Sequence, residues 1–467
     1  MLAYFKYTNF LIGTWNDIVG GNFAFTDIFL PVGISFFTFQ TLSYSIDVYR
    51  GHLVPVTEEV EDVSSFFRKL MDFAFFVCFF PQLVAGPIVR AADFLPQIRR
   101  KPQLTNQQLS QALFLIMGGL FKKAVISDYI SVNYVDRVFE NPALYSGVEN
   151  LLATYGYAIQ IYCDFSGYSD MAIGLALLMG FYLPENFRKP YQAISVQDFW
   201  RRWHISLSTW LRDYLYISLG GNRKGKFRTY LNLMVTMLLG GLWHGASWVY
   251  VVWGGLHGLG LALDRALQSV GKVFQNPALR SYCLLLVIHL IVYPLLYTNF
   301  QSGVLEQEQY LTYFLGNTFT LALWTGLLLL GYLGDLLKRP WVTYSFSGYI
   351  SVFFVFNFVC LGWVFFRSGA VGAAMPPLTT TLTVLGQIMS TFTLSSVPGI
   401  IAAYPQVIFL IVLGFVLHFV PERIYFYLEN RYTQSPILLK SFSLAFVIWL
   451  VIQTASSDVV PFIYFQF

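Results

Sequence analysis

The chain is divided into long apolar windows that contain no Asp, Glu, Lys or Arg. A helix needs about 20 apolar residues to cross the hydrocarbon core of a bilayer, and most of these windows approach or exceed that length. Two further windows are apolar but charged: the one from about Leu109 contains a pair of lysines, and Leu151 to Gly180 contains two aspartates. The charge-free windows are Ile28 to Ile46, Thr229 to Leu263, Ser281 to Leu305, Leu311 to Gly334, Trp341 to Phe366, Ile400 to Val420 and Ser441 to Ser457. The pattern predicts an all-α, polytopic membrane protein in which residues 1–467 form one domain with about ten transmembrane helices.

The window from Thr229 to Leu263 is too long for a single crossing and contains the sequence Gly-Gly-Leu-Trp-His-Gly from Gly240 to Gly245. We therefore expect two short spans with a break at the glycines around His244. An imidazole at membrane depth is costly unless it faces protein or water, and by default it marks a functional site. His244 is accordingly the first candidate for chemistry.

Composition and loop charge agree with a membrane protein. The chain is 56% hydrophobic and only 12% charged, whereas a soluble domain carries about 25% charged residues. Its net charge of +4 is small and its basic residues are scattered between apolar windows, so nucleic acid is not an expected partner. Basic connections alternate with connections that lack Lys and Arg, and the positive-inside rule places the basic set in the cytoplasm. The basic connections are Arg90 to Lys101, Arg188 to Arg228, Arg265 to Arg280, Lys338 to Arg339 and Arg423 to Lys440.

The segment Asp72 to Ile88 departs from this alternation. It is apolar but interrupted by Pro81, Gly86 and Pro87, and basic residues flank it on both sides. Because a crossing would place one basic flank outside, we expect a re-entrant or half-buried hairpin. Such a hairpin is possible at membrane depth only where protein covers its backbone. An ordinary short helix that violates the charge rule is the alternative.

Aromatic residues and arginines alternate at near-helical spacing within Phe187 to Arg228. Tryptophans of this kind are found at lipid headgroup depth, and arginine guanidinium groups are planar, permanently charged donors suited to phosphate. The residues concerned are Trp200, Trp203 and Trp210, with Arg201, Arg202 and Arg212. Two interpretations remain open: an interfacial amphipathic helix anchored on anionic lipid, or the entrance for a phosphate-bearing acyl carrier.

Three of the six histidines are the better candidates for chemistry: His204, His244 and His257. His289 and His418 lie in simple apolar windows, where a packing role is favoured. No carboxylate falls near His244 or His257 in sequence, and the close ligand spacing of catalytic zinc sites is missing. We therefore expect no metal site.

Two carboxylates, Asp164 and Asp170, lie in a membrane window six residues apart, so they do not share a face of a regular helix. We expect one to face a cavity and the other to cap or pair. Buried carboxylates normally find a partner, and pairing with an arginine of the basic stretch stays open beside a catalytic role.

Several stretches together resemble the membrane-bound O-acyltransferases, in the bacterial branch of alginate O-acetyltransferase. The resemblance extends from about Leu30 to Phe467, and its specificity comes from the combination of stretches. They are Leu30 to Phe36, Ile46 to Gly51, Phe80 to Ile88, Asp164 to Asp170, Trp200 to Tyr214, Gly240 to Gly245 and Phe462 to Phe467. Family members usually have further hydrophobic helices before the stretch Tyr4 to Tyr7, so we expect a truncated start or a fold that dispenses with those helices.

The resemblance implies acyl transfer across the membrane by a helical fold with a central tunnel. It places the catalytic histidine on His244 and the family's second histidine position on His204. The implied donor is an acyl thioester, acetyl-coenzyme A or an acyl carrier, taken from the cytoplasmic side of a bacterial inner membrane, with no bound cofactor. A periplasmic acetyltransferase partner is expected to finish transfer to a cell-envelope or exported polysaccharide. The residues expected to bind the donor are Trp200, Arg201, Arg202, Trp203, Arg212, Asp213, Asp164, Asp170 and Trp243.

The mechanism predicted for this site is general base catalysis. Neutral His244 would take the proton of an acceptor hydroxyl, or of a carrier nucleophile, that attacks the thioester, and such positioned catalysis contributes about 10² to 10⁴-fold. Three alternatives remain: D-alanyl transfer to teichoic acid-type acceptors, transport of a lipid-linked sugar through an Asp and His proton relay, and a scaffold that anchors a periplasmic enzyme. The Arg-Arg-Trp-His motif and the Tyr-Phe-Gln-Phe ending favour the polysaccharide-acetylating branch.

Overall fold

A computed structural model describes residues 2–29, 31, 33–53, 63–83, 86–101, 103–301, 305–336, 345–370 and 375–454. Every regular element within these ranges is helical, which confirms the predicted all-α class. The predicted stretches Lys338 to Arg339 and Phe462 to Phe467, and part of Trp341 to Phe366, lie outside the described residues.

Twenty-one α-helices and several short π- and 3₁₀-helical segments make up the described part of the chain. The α-helices before Arg188 are α1 (Thr8–Val19), α2 (Ile34–Tyr49), α3 (Val63–Cys78), α4 (Phe80–Leu83), α5 (Ala91–Ile98), α6 (Asn106–Leu120), α7 (Asp128–Ile130), α8 (Asp136–Glu140) and α9 (Gly147–Leu178). Between Arg188 and Gln268 lie α10 (Val196–Trp200), α11 (Ile205–Trp210), α12 (Lys226–His244) and α13 (Trp248–Gln268). The remainder are α14 (Pro277–Gln301), α15 (Gln307–Leu336), α16 (Phe346–Ser368), α17 (Pro377–Ser390), α18 (Val397–Ala403), α19 (Pro405–Phe419), α20 (Glu422–Gln434) and α21 (Ile437–Thr454).

Five helices among the described residues are long and apolar enough to cross a membrane, and the number is up to seven if each of two bent pairs is one span. The five are Asn106–Glu140, Pro277–Gln301, Gln307–Asp335, Phe346–Ser368 and Ile437–Thr454. The bent pairs are Pro377–Ser390 with Leu394–Ala403, and Pro405–Phe419 with Glu422–Gln434, which turn by 96° and 92°. Three more long helices, α9, α12 and α13, have 32, 19 and 21 residues but are more polar. The total of about ten crossings stays a prediction.

The window from Thr229 to Leu263 folds as a helical hairpin, with its break where the glycines predict it. Helix α12 ends at His244 and α13 begins at Trp248. The two helices approach closely because glycines face each other: a Cβ on Gly241 would lie 2.2 Å from the carbonyl oxygen of Tyr250, and a Cβ on Gly254 would lie 2.3 Å from that of Met237. Side chains at these positions would force the helices apart, so the glycines fix where His244 lies.

The two intramembrane aspartates pair with lysines, not with arginines of the basic stretch as one interpretation held. Helix α6 continues through a π-helical segment, Phe121–Ser127, which lies against α9. Lys123 Nζ lies 2.6 Å from Asp164 Oδ1, and Lys122 Nζ lies 2.6 Å from Asp170 Oδ2. We expected only one of the two aspartates to have a charged partner. That expectation was wrong, because consecutive lysines of a neighbouring helix reach both.

The segment predicted to be a hairpin is interrupted and covered by protein. Helix α3 is followed by the single turn of α4, and residues 86–90 continue without helix to α5. The side chains of Phe79 and Gln82 are buried, as are Ile88 and Val89, and the backbone N–H of Ile88 donates to Ser206 Oγ at 3.0 Å. The part from Pro81 onward is the covered part, since Phe75 and Phe80 are exposed. The re-entrant hairpin stays a prediction.

Candidate functional site

His244 is the last residue of α12, and its ring is enclosed by aromatic side chains. The ring centroid lies 5.0 Å from that of Trp253 on α13 and 5.1 Å from that of Phe366 on α16, both edge-on. Trp243 covers a third side at 4.9 Å. The imidazole is buried in the protein, 4% exposed, and does not point into lipid. The ring thus faces protein, as an imidazole at membrane depth requires.

Two residues near the start of the chain hold the end of α12. Lys6 Nζ donates to the carbonyl oxygens of Trp243 and His244 at 2.7 and 2.8 Å, and Tyr7 Oη donates to that of Leu242 at 2.9 Å. The last carbonyls of a helix have no partner within the helix and carry its negative dipole end. A lysine at this position therefore satisfies them and fixes the backbone of His244. Nothing in the local sequence of Lys6 or Tyr7 predicts this contact.

The three candidate histidines converge on one buried aromatic cluster. Trp243 lies between His244 and His204, whose ring is 6.5 Å from the indole centroid. Trp253 lies between His244 and His257, whose ring is 4.8 Å from it. All three imidazoles are buried. Residues from α11, α12 and α13 are thus brought together although up to 53 positions separate them (257 − 204).

His204 also has a structural role, as the N-cap of α11. Its Nδ1 accepts a hydrogen bond from the backbone N–H of Leu207 at 3.3 Å. Its backbone lies in the left-handed region with φ of 42°, which is uncommon for a residue other than glycine and is often found at functional sites. Asn186 supports the turn by accepting from Ser206 Oγ at 2.8 Å. The cap orients the ring against Phe165, with centroids 4.6 Å apart.

The tryptophans of the aromatic and basic stretch pack inside the protein and do not face lipid. Trp200, Trp203 and Trp210 are all buried, because the stretch breaks into α10, α11 and a π-helical segment, Leu211–Tyr216, that fold inward. Trp210 stacks on Phe39 at 3.9 Å, and Phe39 stacks on Trp243 at 5.0 Å. The stretch is therefore broken rather than a single helix, and its tryptophans support the histidine cluster. Whether it is anchored on anionic lipid stays a prediction.

The predicted donor-binding arginines are only partly brought together. Arg202, just past the end of α10, pairs with Asp198 of that helix at 2.9 Å, and Arg201 is exposed. Arg212 instead shares Asp213 with Arg90: its Nε lies 2.6 Å from one carboxylate oxygen, and Arg90 Nη2 lies 2.5 Å from the other. Nothing in the sequence around Arg90 identifies it as a partner of Asp213.

A further arginine, Arg50, completes this cluster. It donates to the backbone oxygen of Asp213 at 3.2 Å and to Ser218 Oγ at 2.8 Å. Partial burial raises the pKa of the Asp213 carboxyl, but hydrogen bonds from Arg212 and Arg90 outweigh it, so the pKa lies below its ordinary value. Two guanidinium groups thus bind one ionised carboxylate and a third binds the backbone oxygen of the same residue, which leaves an excess of positive charge.

The described residues contain no group of three or more His, Cys, Asp or Glu side chains placed to share a metal ion. The site as described is built from imidazole, indole and peptide groups, and such a site favours proton transfer and hydrogen bonding to a substrate. The absence of a metal from the working protein stays a prediction.

Comparison with known proteins gives the family. A profile described as MBOAT, membrane-bound O-acyltransferase family, matches residues 19–293, a range that includes all three histidines. The chain is 48% identical to "Probable alginate O-acetylase AlgI" of Pseudomonas putida, over 62% of this chain and 58% of that protein. It is 41% identical to the peptidoglycan O-acetyltransferase of Helicobacter pylori, over 59% of this chain and 55% of that protein. It is 32% identical to the teichoic acid D-alanyltransferase of Streptococcus thermophilus, over 50% and 57% of the two chains.

The chain spans a little more than half the length of these curated relatives. The family profile nevertheless covers more than half of this chain, and the apolar helices have the lengths that a membrane requires. The chain is therefore a multi-pass membrane protein and belongs to the membrane-bound O-acyltransferase family.

Proposed function

We propose that this protein transfers an acyl group, most simply acetyl, from a thioester donor to an acceptor hydroxyl, with His244 as the general base. The observation that carries the proposal is the position of His244 at the break of the α12–α13 hairpin, enclosed by Trp243, Trp253 and Phe366 and joined through indoles to two further buried histidines. An imidazole is the side chain most often used for proton transfer near neutral pH.

The proposed reaction balances without any group beyond the two substrates. The imidazole of His244 takes the acceptor proton while the hydroxyl oxygen attacks the thioester carbonyl carbon. The tetrahedral intermediate then collapses, the carbon–sulfur bond breaks, and the proton passes from His244 to the departing thiolate. The products are an ester and a free thiol. His204 is the second histidine of the site, and its contribution is separable from its capping role by substitution.

The arginine cluster around Asp213 is the proposed binding place for the phosphate-bearing arm of the donor. Arg50, Arg90 and Arg212 supply guanidinium groups that suit phosphate oxygens, and Asp213 holds two of them in place. Arg90 lies in one basic connection and Arg212 and Asp213 in another, and the positive-inside rule assigns both connections to the cytoplasm. We therefore propose that the donor enters from the cytoplasm and that the acyl group leaves on the outer side of a bacterial inner membrane.

The acceptor we propose is a cell-envelope or exported polysaccharide, with a periplasmic acetyltransferase as partner. The identity to proteins named for alginate and for peptidoglycan O-acetylation, 48% and 41%, exceeds the 32% to a D-alanyltransferase. D-Alanyl transfer is accordingly the second candidate. Family membership favours an enzyme over a transporter of lipid-linked sugar or a scaffold.

Purified protein in detergent, incubated with a labelled acetyl thioester, tests these classes against one another. The proposal expects thiol release that requires His244 and stops in His244→Ala, while the variant still inserts and migrates as a monodisperse protein. A transporter would move a lipid-linked sugar without cleaving the thioester, and a scaffold would do neither. Substituting D-alanyl thioester for acetyl thioester in the same assay distinguishes the two acyl groups.

A further inference from the structure

Two N–H groups beside His244 are buried and have no hydrogen-bond partner in the described part of the chain. They are Nε2 of His257 and Nε1 of Trp253, on successive turns of α13. Both side chains are at most 1% exposed. A buried donor without a partner is unfavourable and rare in native proteins, so two of them side by side call for a ligand that supplies the acceptor.

The tautomer of His257 is set by a neighbour. Trp200 Nε1, which can only donate, lies 3.3 Å from Nδ1 of His257. Nδ1 is therefore the acceptor, and in a neutral ring the proton must be on Nε2. The unpartnered atom of His257 is thus a donor, like the indole N–H of Trp253.

Both donors face the same place on α16, at a residue without a side chain. A Cβ built on Gly362 would lie 3.1 Å from Nε2 of His257 and 3.5 Å from Nε1 of Trp253. The Trp253 ring is also packed edge-on against His244 at 5.0 Å. The two N–H groups therefore lie one indole ring away from the proposed general base, and both face Gly362, where even a methyl group would crowd them.

We propose that the N–H groups of His257 and Trp253 donate to the thioester carbonyl oxygen of the acyl donor and stabilise the negative charge that develops on it. This assignment depends on the proposed acyl transfer. When the acceptor oxygen bonds to the carbonyl carbon, the electron pair of the C=O π bond moves to that oxygen, and it returns when the carbon–sulfur bond breaks. Preorganised donors aimed at such an oxygen in a dry site are among the largest contributions to catalysis.

The test is Trp253→Phe compared with Trp363→Phe. Both substitutions remove one indole N–H from the same aromatic cluster, since the two rings stack at 6.2 Å. The N–H of Trp363 is already bound to Tyr191 Oη at 3.2 Å, so it is not free for a substrate. We expect Trp253→Phe to lower kcat by about 10²-fold, the usual loss for one such donor, and Trp363→Phe to leave kcat near the wild-type value.

Binding of two inert analogues separates this role from a packing role. One is the methyl ketone in which CH₂ replaces the donor's sulfur, and the other is the S-ethyl thioether, which has no carbonyl oxygen. Trp253→Phe should weaken the ketone about tenfold, the value of one hydrogen bond, and leave the thioether unchanged. Gly362→Ala, which keeps both donors but places a methyl group 3.1 Å from Nε2 of His257, should weaken the ketone as well.

Equal kcat in Trp253→Phe and Trp363→Phe, or equal loss of ketone and thioether binding, overturns the donor assignment while the acyl transfer stands. A wild-type protein that does not cleave any acetyl thioester, or that cleaves it without His244, overturns the proposed function and this assignment with it.

Discussion

Adding one methyl group to Gly254 tests whether the α12–α13 contact positions the site. A Cβ on Gly254 would lie 2.3 Å from the carbonyl oxygen of Met237 and 3.2 Å from Cα of Gly241, so the two helices would have to separate. Overpacking of this kind costs about 1–3 kcal/mol. The adjacent Gly255 is a matched control, because its Cβ would meet only Leu238 Cδ2, at an ordinary 3.5 Å.

The comparison isolates the contact from helix propensity. Replacing glycine by alanine inside a helix gains about 1 kcal/mol, and this gain is common to both variants. We therefore expect Gly255→Ala to be as stable as wild type or more stable, and Gly254→Ala to be about 1–3 kcal/mol less stable than Gly255→Ala. The assay is reversible unfolding in detergent micelles, followed by circular dichroism.

Activity should follow the same order. Gly254 packs on the turn of α12 that precedes His244, so separating the helices moves the imidazole, and a displacement of about 1 Å can lower the rate of a catalysed step about 10²-fold. Thiol release per folded molecule should fall in Gly254→Ala and stay near wild type in Gly255→Ala. Equal stability and equal activity of the two variants would refute the claim that this glycine contact positions the site.

Three further predictions follow from single contacts. Lys6→Met should destabilise the protein by about 2–3 kcal/mol, the value of a charge-assisted hydrogen bond, and lower thiol release, whereas Lys6→Arg should retain both; unchanged melting of Lys6→Met would contradict this. His204→Asn keeps an N-cap side chain that tolerates left-handed backbone, so it should melt like wild type but release thiol about 10²-fold more slowly, and full activity would limit His204 to capping. Asp164→Asn should lower stability by about 1–3 kcal/mol because Lys123 loses one of two carboxylates, yet leave the rate per folded molecule unchanged; a lost rate at wild-type stability would show a catalytic role.

Local sequence features predicted the fold class and the position of the break. The lengths of charge-free windows and the glycines around His244 are properties of contiguous residues, and both bear directly on helix length and helix ends. The packing role of His289 was predictable for the same reason, since it lies in a plain apolar window. In the structure its ring nitrogens contact Leu285 O and Thr320 Oγ1 at 2.7 and 3.1 Å.

The errors have a physical cause in contacts between distant residues. Tryptophan is suited to the lipid interface and to a protein core alike, so the spacing of Trp200, Trp203 and Trp210 could not decide between them. The partners of Asp164 and Asp170 are lysines more than 40 positions earlier (164 − 123 = 41 and 170 − 122 = 48). The lysines lie in the π-helical segment Phe121–Ser127, which packs against α9. The apolar pattern of the sequence does not predict this packing.

Distance along the chain also explains why the roles of Lys6 and Arg90 could not be predicted from the sequence. Lys6 contacts carbonyls 237 and 238 positions away, and Arg90 meets Asp213 across 123 positions. Each of these residues is unremarkable in its own segment. Only the folded chain shows that one fixes the end of α12 and that the other belongs to a cluster of positive charge.

The central claim is that the imidazole of His244 carries the proton during acyl transfer. Its most direct test is kcat for thiol release from a labelled acetyl thioester by His244→Gln, measured beside His289→Gln at equal amounts of folded protein. His289 is a buried histidine of α14 whose ring nitrogens hydrogen-bond to a helix carbonyl and to a threonine hydroxyl, so its variant should retain kcat near wild type. His244→Gln should lose at least about 10²-fold. Wild-type turnover by His244→Gln would contradict the account.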